Sequence, residues 1–365
     1  MQSLKDTRIS ILVVASMLIA IGVIMIYSSS AVYAYDKFND NLFFLKRHLI
    51  SLFIGLILTL FFMGVNLDTF RQHSKILLAS SFLILILVLV PGVGLSIGGA
   101  RRWIKVGDIN FQPVEFVKPL YLLYLADFLD RKSIKKHSFF GVYLPVLSII
   151  GVTCMLVLLQ PDLGGSIELG VIGFIMLFAN GAKIKHLFFT LIAGIPLISF
   201  LIMKSPYRFA RILAFLDPWK DPQGTGFQMI QSFVALGSGG LFGAGLGGSK
   251  QKLFYLPESH TDFIFSIIGE ELGFLGAILI VVLFVILVWK GMTVAFKKNS
   301  EFSRLFALGI SSTIGLEAII NIGVSAGVLP TKGLPLPFLS YGGSSLVTHM
   351  ILIAILLNLG RDSVI

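Results

Sequence analysis

Long apolar runs separated by short polar stretches dominate this chain. Ten of them fall near 9–28, 48–65, 75–91, 113–129, 139–159, 164–181, 186–203, 262–290, 303–328 and 344–360. A helix that crosses the hydrocarbon of a bilayer needs about 20 mostly apolar residues. The pattern therefore predicts an all-α polytopic membrane protein with about ten transmembrane helices. The runs near 113–129 and 164–181 are interrupted by ionisable residues, and the run at 262–290 is long enough to require tilt or protrusion. The first run, Ile9 to Tyr27, follows Lys5 and Arg8 and exceeds the apolar core of a signal peptide. Only a weak cleavage match, Ser28 to Ala31, follows it, so a retained first helix is expected.

Composition agrees. The 365 residues are 56% hydrophobic and only 13% charged, with mean hydropathy +0.91, which excludes an ordinary soluble domain. A single cysteine, Cys154, excludes an intrachain disulfide. The net charge of +10 calls for no nucleic acid. Placing both termini in the cytoplasm puts 15 Lys and Arg on the inner flanks against seven in the short outer loops, as the positive-inside bias requires. The basic run at 131–136 then faces anionic lipid. Segments 92–112, 204–261 and 329–343 lie outside, and 204–261 forms one long extracellular loop before the eighth helix. A cysteine placed at Ser249 in that loop would report its side of the membrane.

The glycine-dense stretch 237–249 has GxGxxG-like spacing at Gly243, Gly245 and Gly248. A dinucleotide site also needs a preceding strand and a βαβ unit, and neither is legible, so close backbone packing is the expected use.

Chemistry concentrates in four polar clusters. In YLPESHTDFIFSIIGEELG (255–273), Glu258, His260 and Asp262 run directly into an apolar helix. An ionisable group at a membrane boundary is costly to hold and marks a functional candidate. The competing reading is that Thr261 or Asp262 merely caps the helix. If the helix runs on from Asp262, Glu270 and Glu271 sit roughly 12 Å away and are rotated off its face, so a two-carboxylate hydrolase pair gains no support. In GGARRWIKVGDINFQPVEFVKP (98–119), Arg101, Arg102 and Lys105 accompany Trp103, which suits either headgroup anchoring or substrate contact. Glu115 and Lys118, three apart, share a helix face, either as a structural ion pair or as an anion-binding lysine held by its glutamate. In LQPDLGGSIELG (159–170), Asp162 reads as a turn and cap, and Glu168 as intramembrane. In LPTKGLPLPFLSYGGSS (329–345), Pro and Gly forbid a continuous helix, so a re-entrant or pocket-lining loop is expected, with Lys332 its one cation. Six scattered histidines and the absence of HExxH, CxxC or a P-loop argue against zinc.

These clusters, in this order and across essentially the whole chain, resemble the SEDS family (shape, elongation, division and sporulation proteins). The motifs RRWI…FQPVEFVK, LLQPDLGGS, FLDPWKDP through HTDFIFSIIGEELG, and NIGVSAGVLPTKGLPLPFLSYGGSS carry the likeness. It is greater to the division and sporulation branches than to the elongation branch. Val114 and Glu317 depart from the residues common at their positions. The resemblance implies a peptidoglycan glycosyltransferase of the bacterial cytoplasmic membrane. Such an enzyme polymerises lipid II on the outer face for division or sporulation septum synthesis. Its implied partners are a class B penicillin-binding protein and other division-complex membrane proteins. It implies Asp262 as the catalytic residue and matches Glu115 and Lys118 to the QPxExxK motif. The leaving lipid pyrophosphate calls for cations, for which Arg101, Arg102, Lys118, Arg208 and Lys332 are candidates, with Glu258 and His260 beside Asp262. The resemblance names no cofactor, and a divalent cation stays open. A lipid II flippase or transporter, or a non-catalytic scaffold of the division complex, are the alternatives. A transporter would show internal repeats, and none is visible.

Overall fold

A computed structural model describes residues 3–97, 99–107, 109–132 and 138–361. Among these residues lie thirteen α-helices and one small sheet. Helices α1 (Leu4–Phe38), α2 (Phe43–Gly64), α3 (Leu67–Gln72) and α4 (Ser74–Leu87) precede strands β1 (Gly94–Ile97), β2 (Ala100–Val106) and β3 (Ile109–Phe111). Then come α5 (Pro113–Arg131), α6 (Leu144–Leu159, led in by a π-helical turn over Phe139–Tyr143), α7 (Leu163–Ala179) and α8 (Ile184–Met203). The chain ends with α9 (Pro206–Leu216), α10 (Phe227–Ser238), α11 (Ile264–Lys297), α12 (Glu301–Ser325) and α13 (Gly343–Leu359).

Each of the ten apolar runs became a helix. Among the described residues, six helical stretches are long and apolar enough to cross a membrane: α1, α2, Phe139–Leu159, α8, α11 and α12. The shorter apolar helices α4, α7 and α13, with the charged α5, occupy the other four runs. Helix α12 is central and packs on α5, α7, α11 and α13, while α8 buries only Leu187. Helix α1 is longer than its apolar run. Ser3 and Asp6 form a capping box at its start, and the serines after Tyr27 continue it, with Ser30 Oγ donating to the Ile26 carbonyl at 2.6 Å.

Two segments expected to be loops are ordered elements. Segment 92–112 is a three-stranded antiparallel meander, with Gly94 opposite Ile104 and Ile104 opposite Phe111. Its last strand is tied to the bundle by the Gln112 amide, which donates to Ser344 Oγ at 3.0 Å. Segment 204–261 contains α9, a 3₁₀ turn over Pro218–Lys220 and α10, and is no flexible linker. Within the basic run at 131–136, residues 133–136 lie outside the described residues.

The run at 262–290 solves its excess length by breaking. Gly273 has φ +70° and ψ −170°, which interrupts α11. The glycine-dense stretch fills the gap. Ala244 and Gly245 amides donate to the Glu270 and Glu271 carbonyls at 2.9 and 3.0 Å, and Phe274 and Leu275 amides donate to the Gly240 and Leu241 carbonyls. A Cβ on Gly273 would lie 2.3 Å from the Gly243 nitrogen, so glycine is required on both sides of this contact. Glu270 and Glu271 anchor the same loop. Glu270 accepts from the Ser249 hydroxyl and the Lys250 amide, and Glu271 pairs with Lys252 Nζ at 2.8 Å and with Ser28 of α1. Ser249 is therefore buried and unsuitable as a labelling site.

Candidate active site

Asp262 does not cap a helix. Helix α11 begins at Ile264, two residues later, with Phe263 at the N-cap and no side-chain cap bond. Three consecutive carbonyls instead hold the segment in place. His260 O accepts from the Tyr341 amide at 2.9 Å, Thr261 O from Ser340 Oγ at 2.6 Å, and Asp262 O from Asn321 Nδ2 at 3.0 Å. The donors come from the 329–342 loop and from α12. The Pro/Gly loop expected to line a pocket thus grips the polar cluster before α11.

This arrangement leaves the Asp262 carboxylate half-buried behind Gly333, with Oδ2 3.5 Å from where a Gly333 Cβ would sit. Gly333 lines a cavity of about 370 Å³. Arg102 from β2, Arg208 and Arg211 from α9, and Lys332 supply its cationic wall. Ile198 and Ile202 of α8, with Ile212, supply an apolar wall. Burial, reinforced by the negative charge of Glu258, pushes the Asp262 carboxyl up to about 7 against the pull of Arg211 and Arg102. Burial likewise lowers Lys332. A carboxylate tuned this way can take a proton near neutral pH, and the cations beside it can hold a phosphorylated group.

The other sequence candidates separate. Arg102 turns inward, donating to the Gln160 carbonyl at 3.1 Å and to the Pro161 carbonyl, and lies 3.9 Å from Asp162. Asp162 caps α7 as expected, accepting from the Gly165 amide at 3.0 Å. Arg101 is exposed on β2, donates to the Leu89 carbonyl at 3.4 Å and does not line the cavity. Glu258 is exposed and bonds the Thr261 hydroxyl at 2.8 Å. His260 is packed among Tyr33, Phe44 and Tyr341, and burial, opposed by Glu258, lowers its pKa.

Glu115 and Lys118 do pair, at 3.0 Å; both are buried, and neither lines the cavity. Lys118 Nζ also lies 3.3 Å from Glu168 and 2.7 Å from Glu317. Glu317 in turn meets His349 Nε2 at 2.8 Å. Five groups from α5, α7, α12 and α13 thus form one buried cluster, which gives Glu168 and Glu317 a place. Sequence reasoning missed Arg211, whose Nη1 donates to the Thr331 carbonyl at 3.3 Å. Its spacing of three from Arg208 on an amphipathic stretch was the available signal. It also missed His349 and Asn321, which carry no local signal. Among the described residues no group of three or more His, Cys, Asp or Glu is arranged to hold a metal ion.

Residues 8–364 match the cell cycle protein family that groups FtsW, RodA and SpoVE. Stage V sporulation protein E of Bacillus subtilis (strain 168) is 45% identical over 354 residues, covering 97% of this chain and 96% of the relative. A probable peptidoglycan glycosyltransferase FtsW of Geobacter sp. (strain M18) is 43% identical over 358 residues, 98% of each chain. Among solved structures, a chain from work on the structural coordination of polymerization and crosslinking by a peptidoglycan synthase complex superposes with TM-score 0.80 at 33% identity, covering 96% of this chain and 97% of that one. The rod shape determining protein RodA of Thermus thermophilus superposes with TM-score 0.71 at 27% identity, covering 97% and 96%.

Proposed function

The chain belongs to the FtsW/RodA/SpoVE cell cycle protein family, and from that premise we propose that it is a peptidoglycan glycosyltransferase that polymerises lipid II. It is a multi-pass protein of the bacterial inner membrane and acts as one membrane domain, with 204–261 and Asp262 on the outer side. The observation that carries the reading is the half-buried Asp262 carboxylate beside a cavity lined by both cations and isoleucines.

In this reading Asp262 accepts the proton of the acceptor sugar hydroxyl as that oxygen bonds the donor sugar. The bond from donor sugar to pyrophosphate breaks, and the lipid pyrophosphate departs with the bonding electrons. Arg102, Arg208, Arg211 and Lys332 stabilise its charge. Ile198, Ile202 and Ile212 take the start of the lipid chain. The likeness to a chain of a complex that couples polymerization to crosslinking supports a crosslinking partner, a class B penicillin-binding protein. Duty in division or sporulation follows the named relatives. The likeness to a probable peptidoglycan glycosyltransferase favours polymerisation over the flippase alternative.

Polymerisation of purified lipid II by the purified protein with its partner is the test. Asp262→Asn keeps the size of the side chain and removes its basicity, so glycan strands should disappear while the thermal midpoint stays. Strands made by this variant at the normal rate would overturn the assignment.

A further inference from the structure

We infer that Asn321 is the positioning residue of the site: its one amide group ties Asp262 to the loop that forms the cavity wall and so sets where the carboxylate stands. The inference rests on the reading of Asp262 given above. Asn321 lies near the end of α12 and is 2% exposed. Its Nδ2 donates to the Asp262 carbonyl at 3.0 Å and to the Leu334 carbonyl at 2.9 Å. Both partners are backbone carbonyls, which only accept, so the amide nitrogen must face them and the orientation of the side chain is fixed. Its Oδ1 is buried without a partner, which shows that the donor group is what this position uses.

The two carbonyls belong to segments far apart in sequence. Asp262 carries the carboxylate. Leu334 follows Gly333, behind which that carboxylate sits, and the Leu334 amide donates to the Lys332 carbonyl at 2.9 Å. One –NH₂ thus sets the distance between the proton acceptor and the cationic wall. Ser340 and Tyr341 hold the two preceding carbonyls, but both lie on the loop itself and move with it. Asn321 alone of these three donors is rooted in a buried helix. Reacting groups misplaced by about 1 Å can lose on the order of a hundredfold in rate.

Kinetics and chemical labelling together test this. Asn321→Ala removes both donors. Asn321→Asp keeps the shape and offers at most one. Each should lower kcat for lipid II polymerisation by about 10- to 100-fold with KM within about threefold. Asn321→Ala should also move the acidic limb of the pH–rate profile to lower pH, because a carboxylate released toward water is easier to ionise, whereas the added carboxyl of Asn321→Asp opposes that shift. Independently of activity, Asp262→Cys in a Cys154→Ser background is labelled with a small water-soluble maleimide. Adding Asn321→Ala should raise that rate about tenfold and leave labelling of an exposed control, Gln223→Cys, unchanged. An unshifted pH limb in Asn321→Ala, kcat within twofold of wild type, or an unchanged labelling rate at position 262 would each overturn the inference. If Asp262→Asn itself polymerises normally, the functional reading falls, and the labelling rates alone decide whether Asn321 sets the position of residue 262.

Discussion

Replacing Lys118 with methionine tests the buried cluster most sharply. Lys118 is 1% exposed and its ammonium lies 3.0, 3.3 and 2.7 Å from Glu115, Glu168 and Glu317. The cluster also includes His349, whose Nδ1 is 2.7 Å from the Ser345 carbonyl and so carries a proton toward it, leaving Nε2 against Glu317. Lys118→Met keeps the length of the stem and removes the only lysine among three carboxylates. Breaking a buried ion pair by deleting one partner costs about 3–5 kcal/mol, because the remaining charge is left without compensation. Here three contacts go at once, so the upper part of that range is expected. Glu115→Gln removes one of three carboxylates and leaves Lys118 paired with the other two, so its cost should be nearer the 1–3 kcal/mol of a lost charged hydrogen bond. At about 1.3 °C per kcal/mol for a chain of 365 residues, Lys118→Met should lower the melting midpoint by about 4–7 °C and Glu115→Gln by about 1–4 °C. The single native cysteine supplies the assay. Cys154, whose Sγ donates to the Ser166 carbonyl at 3.2 Å between α6 and α7, becomes reactive to a fluorogenic thiol dye as the bundle opens. Adding Glu317→Gln to Lys118→Met should restore part of the loss, with a coupling of about 1–3 kcal/mol. Equal costs for the two single changes, or plain additivity in the double, would refute the five-membered cluster and leave an isolated pair.

The remaining expectations concern the site, the break in α11 and the topology. Asp262 protonates as pH falls through about 7, so polymerisation should lose rate below neutrality. Glu258→Gln removes a charge that raises the Asp262 pKa and should move that limb to lower pH. Arg211→Met removes an opposing charge and should move it to higher pH, and a limb that ignores both changes would dissociate it from Asp262. Gly273→Ala forces a side chain into φ +70° and against Gly243. It should cost at least about 1–3 kcal/mol, read as a lower midpoint in the dye assay. Gln223 is exposed, and Gln223→Cys in a Cys154→Ser background should react with a membrane-impermeant thiol reagent in intact cells. Labelling only after lysis would place 204–261 inside and remove the proposed polymerising face.

The sequence by itself determined the class of the molecule and the positions of its helices. Every apolar run became a helix because a backbone in hydrocarbon has to satisfy its own hydrogen bonds, and apolar length is a local property. The Glu115–Lys118 pair was legible for the same reason, since spacing within one helix is local. The strands β1–β3 and the helices inside 204–261 were hidden because they are too short to carry a clear hydrophobic period and lean on the bundle for stability. Whether Asp262 caps α11 or stands behind the cavity wall at Gly333 depended on donors 59 residues and more away, Asn321 and the Ser340–Tyr341 pair. The glycines of 240–245 showed a need for close approach, but not that the partner would be a break in α11 at Gly273. Lys118 acquired Glu168, Glu317 and, through Glu317, His349 only when four helices met. Long-range pairing of this kind decided which charges serve the cavity and which hold the bundle together, because isolated buried charges are unstable and only tertiary packing can bring their partners within about 3 Å.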